Sequence, residues 1–108
     1  MTGRFYTLEN KFIGSGYFYE FPKFTGIVTH SYCKEWYANG KRHRIEGPAV
    51  IYDNGDKYWY YEGMLHSIDG PACEGIDEPI EYFVFGKKCS SKEHHKLLTD
   101  MMKLKGLI

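Results

Sequence analysis

The chain has 108 residues, the length of one domain, and its 14 Lys and Arg balance its 14 Asp and Glu. Neutrality argues against a protein whose main work is coating nucleic acid or an anionic membrane, and the ordinary charged share argues against general disorder. Aromatic residues make up 18% of the chain, which together with 12 Gly points to strands and tight turns.

Residues 1–34 read as an aromatic-rich N-terminal β segment holding Phe5, Tyr6, Phe12, Tyr17, Phe18, Tyr19, Phe21, Phe24 and Tyr32. Gly14-Ser15-Gly16 lacks the rest of any phosphate-binding motif and reads as a turn. Thr25-Gly26-Ile27-Val28 resembles the worn end of an earlier repeat unit. The first residues, MTGRFYTLENKFIG, contain no apolar core of signal-peptide length. Cys33, Cys73 and Cys89 are odd in number and show no CxxC spacing. These features predict a soluble cytoplasmic protein with free thiols.

Residues 35–89 repeat. Trp36-Tyr37-Ala38-Asn39-Gly40 lies over Trp59-Tyr60-Tyr61-Glu62-Gly63, 23 positions on. The same offset carries His43 to His66 and Gly47-Pro48-Ala49 to Gly70-Pro71-Ala72. A third copy, Tyr82-Phe83-Val84-Phe85-Gly86, runs to Cys89 in the histidine place. Asn39-Gly40 is a two-residue hairpin signal. Residues 53–56 and 76–79 supply the turns between units. The pattern predicts an antiparallel meander. Trp36, Trp59 and Tyr82 share one face; Tyr37, Tyr60 and Phe83 share the other.

Residues 90–106 read as one capping helix. Ser90 to Glu93 reads as a capping box, Leu97, Leu98, Met101 and Met102 follow helical spacing, and Gly106 marks the stop. Residues 58–86 carry six acids and no Lys or Arg, whereas residues 87–105 carry six Lys. The two stretches are expected to attract each other.

The run W-x-x-N-G-K-x-H-R-x-x-G-P-A-V-I-Y-x-x-G, from Trp36 to Gly55, resembles MORN-like repeats of the GPA type, found in short uncharacterised proteins of tailed phages and bacteria. The resemblance covers about residues 35–89. It implies a mainly β fold, an antiparallel meander of β-hairpin repeats with period 23, and by analogy a binding role without an enzyme mechanism. Ser67 departs from the pattern, which usually has Arg there, and Cys73-Glu74-Gly75 replaces a strand.

Three constellations suggest chemistry, and each has a plainer reading. His43, His66 and Cys89 are ligand types, but equivalent positions one hairpin apart lie roughly 9–10 Å from each other, too far for one zinc. Each is expected instead to bond backbone beside the Gly-Pro bend. Glu46 and Asp69 are spaced too widely for a carboxylate pair. No cysteine stands out beside a histidine as a nucleophile, so the thiols read as small apolar fillers. Neither a metal nor a cofactor is expected.

The sequence therefore points to a non-enzymatic binding module of phage type. Its expected partner is a host protein, which it engages and inhibits. The contact candidates are Tyr37, Tyr60 and Phe83 with the basic turn residues Lys41, Arg42 and Arg44, since exposed aromatics and Arg dominate interface energies. The alternative is a homo-oligomer that sequesters a nucleotide or other small molecule by stacking.

Overall fold

A computed structural model describes residues 3–16, 22–76 and 79–108. Tyr17, Phe18, Tyr19 and Phe21, and part of the expected turn at 76–79, lie outside the described residues. The chain runs through strands β1 (Gly3–Tyr6), β2 (Phe12–Gly16), β3 (Gly26–Thr29), β4 (Cys33–Ala38), β5 (Lys41–Arg42), β6 (Val50–Tyr52), β7 (Lys57–Tyr58), β8 (Tyr60–Tyr61), β9 (Met64–Leu65), β10 (Cys73–Glu74), β11 (Tyr82–Val84) and β12 (Lys87–Cys89). Helix α1 (Lys92–Leu104) follows. The fold is mainly antiparallel β with one C-terminal helix.

The main sheet is ordered β10-β7-β6-β4-β3-β1-β2, with β5 also on β4. Two stretches read differently from the sequence are strands here. Gly14-Ser15-Gly16 lies within β2 rather than in a turn, and Gly26-Ile27-Val28 lies in β3, paired along the length of β4. The hairpins β8–β9 and β11–β12 form separate two-stranded ladders, so the meander is not one continuous sheet.

The seven letters from His43 to Ala49 explain the break. Trp36 donates its N–H to Ala49 O at 2.7 Å and accepts from His43 N–H at 3.0 Å. Loop 43–49 therefore leaves the sheet edge and returns to the same tryptophan. Trp59 does the same with Ala72 at 2.8 Å and His66 at 3.0 Å. Pro48 and Pro71 sit where the chain is out of the ladder and needs no donor. Ala49 and Ala72 are fully buried at the return, where a larger side chain has no room.

The turns carry the stacking. Asn39 and Gly40 have φ of 55° and 80°, the two positive angles a tight hairpin requires. A Cβ on Gly40 would stand 2.0 Å from the Pro22 carbonyl oxygen, so only glycine fits. Glu62-Gly63 and Phe85-Gly86 repeat these angles, although neither Glu nor Phe favours them. Their amides are held by the preceding hairpin. Glu62 N–H donates to His43 Nδ1 at 3.0 Å, and Phe85 N–H to His66 Nδ1 at 2.9 Å. At the first turn Thr25 Oγ1 takes the Asn39 amide at 2.9 Å. The histidines thus bond backbone, but at the next turn and not beside the Gly-Pro bend.

One sheet face carries the core. Phe5 pairs with Val28, Val28 with Glu35, and Glu35 with Val50, and all four are buried. Phe24 meets Phe5 edge-on at 5.0 Å between ring centroids. Trp36, Trp59, Tyr82, Tyr37, Tyr60 and Phe83 are all half-buried.

Helix α1 packs on β11 and β12. Its N-cap is Ser91, one residue later than expected, and Ser91 Oγ accepts from His94 N–H. His94 Nδ1 in turn accepts from Ser90 N–H, so a histidine takes the part of the expected Glu93. The buried face is His95 and Thr99, while Leu97 and Met101 are exposed and Met102 half-buried. Half-buried Leu98 and Met102 share the stripe of His95 and Thr99, so the apolar spacing caught half of the packed face and missed its centre. His95 faces inward because its Nε2 bonds the Ser67 carbonyl and its ring lies 5.2 Å from Tyr82. Gly106, at φ 72°, ends the helix as expected, with Leu107 N–H reaching Met102 O and Gly106 N–H reaching Lys103 O. The acidic stretch meets the basic one at Glu81–Lys88 (3.5 Å) and Asp69–Lys103 (3.9 Å).

Candidate functional site

Two neighbouring clefts flank the returning loops. The first, about 540 Å³, is lined by Trp36, Tyr37, His43, Arg44, Ile45 and Glu46 among others. The second, about 490 Å³, is lined by Trp59, Tyr60, His66, Ser67, Ile68 and Asp69, with Arg44 and Ile45 in its near wall and Leu107 and Ile108 beside it. Each named residue of the first cleft has its counterpart 23 positions on in the second. Both volumes suit a side chain or a small molecule.

Of the six paired residues, Glu46 and Asp69 keep the same charge, and the pair that changes character is Arg44 and Ser67. Arg44 lies over the Trp36 ring at 3.8 Å and donates to Pro48 O at 3.1 Å, and Lys34 lies over the same ring at 5.1 Å. Burial, opposed by Glu46, lowers the Arg44 pKa. Ser67 stands in the equivalent place of the second cleft. No cation lies over Trp59 among the described residues. The Trp59 ring lines the second cleft without a cation over it, a surface type that takes an aliphatic, aromatic or cationic group. Ile45, 82% exposed, stands between the two clefts.

The second cleft also holds a histidine in a fixed state. His66 Nδ1 accepts from Phe85 N–H, and its ring stacks on Phe85 at 4.1 Å. Burial, then His95, lowers its pKa. The ring is therefore neutral with its proton on Nε2. Tyr61 lies between the two histidines, 4.8 Å from His43 and 5.6 Å from His66 by ring centroids. Those rings do not converge on a shared ion.

Three of the expected contact residues are linked through Glu35 and the Tyr60 ring. Arg42 Nη2 donates to Glu35 Oε1 at 2.8 Å, Tyr37 OH donates to Glu35 Oε2 at 3.0 Å, and Arg42 lies over the Tyr60 ring at 5.3 Å. Burial opposes the Arg42 charge, but the Glu35 carboxylate outweighs it and holds the guanidinium above its ordinary pKa. Burial, then Glu35, pushes the Tyr37 phenol up to about 12. Lys41 is exposed, while Phe83 is half-buried in β11 and borders neither cleft. Of the six, Tyr37 and Arg44 line the first cleft and Arg44 and Tyr60 the second.

Sequence reading missed Glu35 and His30. Glu35 is only 5% exposed, and His30 Nε2 lies 3.2 Å from its Oε2. A weak signal was present: Glu35 alternates in phase with Cys33 and Tyr37, so a buried face for those two buries it as well. Cys33, Cys73 and Cys89 are all buried, and none forms a disulfide.

No family model, curated protein or solved structure matches this chain. No helix among the described residues is long and apolar enough to cross a membrane.

Proposed function

We propose that this chain is a non-enzymatic binding module built from MORN-like, GPA-type hairpin repeats. It is of the kind carried by short phage and bacterial proteins, and it acts in the cytoplasm on a host protein, which it inhibits. The observation that carries this reading is the second cleft: an aromatic floor at Trp59, an exposed Ile45 on its rim and Arg44 in its wall. Aromatic anchors with a flanking Arg are the residue types that dominate protein interfaces. The polar ends of Tyr37 and Arg42 are engaged with Glu35, so the contact surface shifts from the original six towards Lys41, Arg44, Tyr60 and Trp59.

The test is capture. The immobilised chain retains a defined partner from host lysate, identified by mass spectrometry. Ile45→Asp, at an exposed position, abolishes retention and leaves the melting temperature unchanged. Retention of the same partner by Ile45→Asp removes the cleft from the account.

A second reading, sequestration of a planar small molecule, is favoured by the cleft volume and the aromatic lining at Trp59, Tyr60 and Tyr61. A thermal shift on adding nucleotides, abolished by Ile45→Asp or by a bulky residue at Ser67, separates it from the first.

A further inference from the structure

The inner sheet face carries a donor set that neither the clefts nor the hairpin stack uses. Cys33 and Glu35 alternate on β4 and point to the same buried side. His30 stands at the start of the turn that joins β3 to β4, where its N–H donates to Cys33 O at 2.8 Å. The turn thereby folds the imidazole back over the strand. One donor atom each from His30, Cys33 and Glu35 lies within 4.8 Å of the other two.

We propose that His30, Cys33 and Glu35 bind a divalent transition metal ion of the zinc type. With ligand bonds of about 2.0–2.3 Å, tetrahedral donors lie roughly 3.3–3.8 Å apart. His30 Nε2 and Glu35 Oε2 are already at 3.2 Å. Closing the set asks the thiol to move in by about 1 Å, which a side-chain rotation supplies. Nitrogen, sulfur and oxygen donors together suit zinc over the hard cations magnesium and calcium.

The neighbours fit the outer shell of such a site. Arg42 holds Oε1 of Glu35, and the Tyr37 hydroxyl donates to Oε2, whose second lone pair is the one available to the ion. Tyr32 stacks on His30 at 5.8 Å and on Tyr52 at 6.2 Å, which covers one face of the imidazole. His30 Nδ1 is buried and has no hydrogen-bond partner among the described residues. Nε2, held against Glu35, is the nitrogen placed to ligate, and Nδ1 then keeps the ring proton.

Without metal the thiol is protonated, since burial and then Glu35 push it up to about 11. Binding forms the sulfur–metal bond and releases the thiol proton to solvent. The thiolate and carboxylate then neutralise the ion, and the Arg42 charge is left in excess. That excess keeps affinity below that of cysteine-rich sites. Three protein ligands leave a fourth position for water.

Cobalt(II) titrated into the reduced full chain tests this. The expected result is one equivalent bound with a sulfur-to-cobalt charge-transfer band, which zinc(II) bleaches. Cys33→Ser abolishes the band, while Cys73→Ser and Cys89→Ser keep it. His30→Gln, at a half-exposed turn position, weakens cobalt binding more than about tenfold and serves as the deciding variant if Cys33→Ser misfolds. Absence of a thiolate band in the wild type overturns the site. So does a band that survives Cys33→Ser, or unchanged affinity in folded His30→Gln.

Discussion

Loops 43–49 and 66–72 close on their tryptophans through the same backbone bonds, yet they finish differently. In the first, Arg44 covers the ring and ties itself to the Pro48 carbonyl. In the second, Ser67 places no cation over the ring and gives its carbonyl to His95 of the helix. The inner faces differ as well. The first unit places Glu35 and Arg42 in contact, whereas the equivalent positions in the second are Tyr58 and Leu65. One backbone plan thus carries an ion-paired unit with a cation over its ring and an apolar unit without one. The two units differ by substitution at a few equivalent positions, not by a change of backbone plan.

The largest expected effect is at the ion pair. Arg42→Ala leaves the buried Glu35 carboxylate short of its cation and costs about 3 kcal/mol in urea unfolding. Installing the apolar pattern of the second unit, Glu35→Met with Arg42→Leu, recovers most of that loss, to within about 1 kcal/mol of the wild type. If the double variant is no more stable than Arg42→Ala, the two units are not interchangeable in this sense.

Next come the histidines. His66→Ala removes the acceptor for the Phe85 amide and the ring stacked on Phe85, and costs about 2 kcal/mol. His43→Ala removes an exposed equivalent at Glu62 and costs about 1 kcal/mol. Equal losses would erase the difference between the units.

A pH effect follows for His66. Its folded pKa is lowered from 6.5 by burial and then by His95. The neutral ring therefore contributes fully above 6.5, and the contribution is lost as pH falls from there towards the folded value. Wild-type stability drops more than that of His66→Ala between about pH 7 and about pH 5, by up to about 1 kcal/mol in chemical denaturation.

The smallest effect is a gain. Glu62 carries φ of 48° in a turn where Asn39 carries 55°. Glu62→Asn relieves that strain and raises stability by about 0.5 kcal/mol.

Much of the fold was legible because its signals are local. Asn39-Gly40 needs only its own backbone angles, and Gly106 likewise ends the helix through bonds within one turn. The turn at 53–56 was also readable, since Gly55 at φ 99° and the Asp56-to-Asn54 bond lie within it. The candidate sites were less legible because they are assembled across the sheet. An acid such as Glu35 looks like a solvent-facing residue until the Val28 and Val50 strands are seen on either side. His95 and Thr99 are poor core residues by composition, and only the Ser67 carbonyl and Tyr82 ring explain their burial. Ser67 itself was visible as a departure from the repeat. Its consequence was not, because it depends on where Arg44 points.

That position gives the most direct test. Ser67→Arg places over Trp59 the same side chain that covers Trp36, within reach of the Pro71 carbonyl. The account predicts that affinity for the captured partner, read by calorimetry, falls more than about tenfold, while stability rises by about 0.5 kcal/mol from the new cation–π contact. Unchanged affinity in a folded Ser67→Arg chain would contradict the claim that the open second cleft is the binding site.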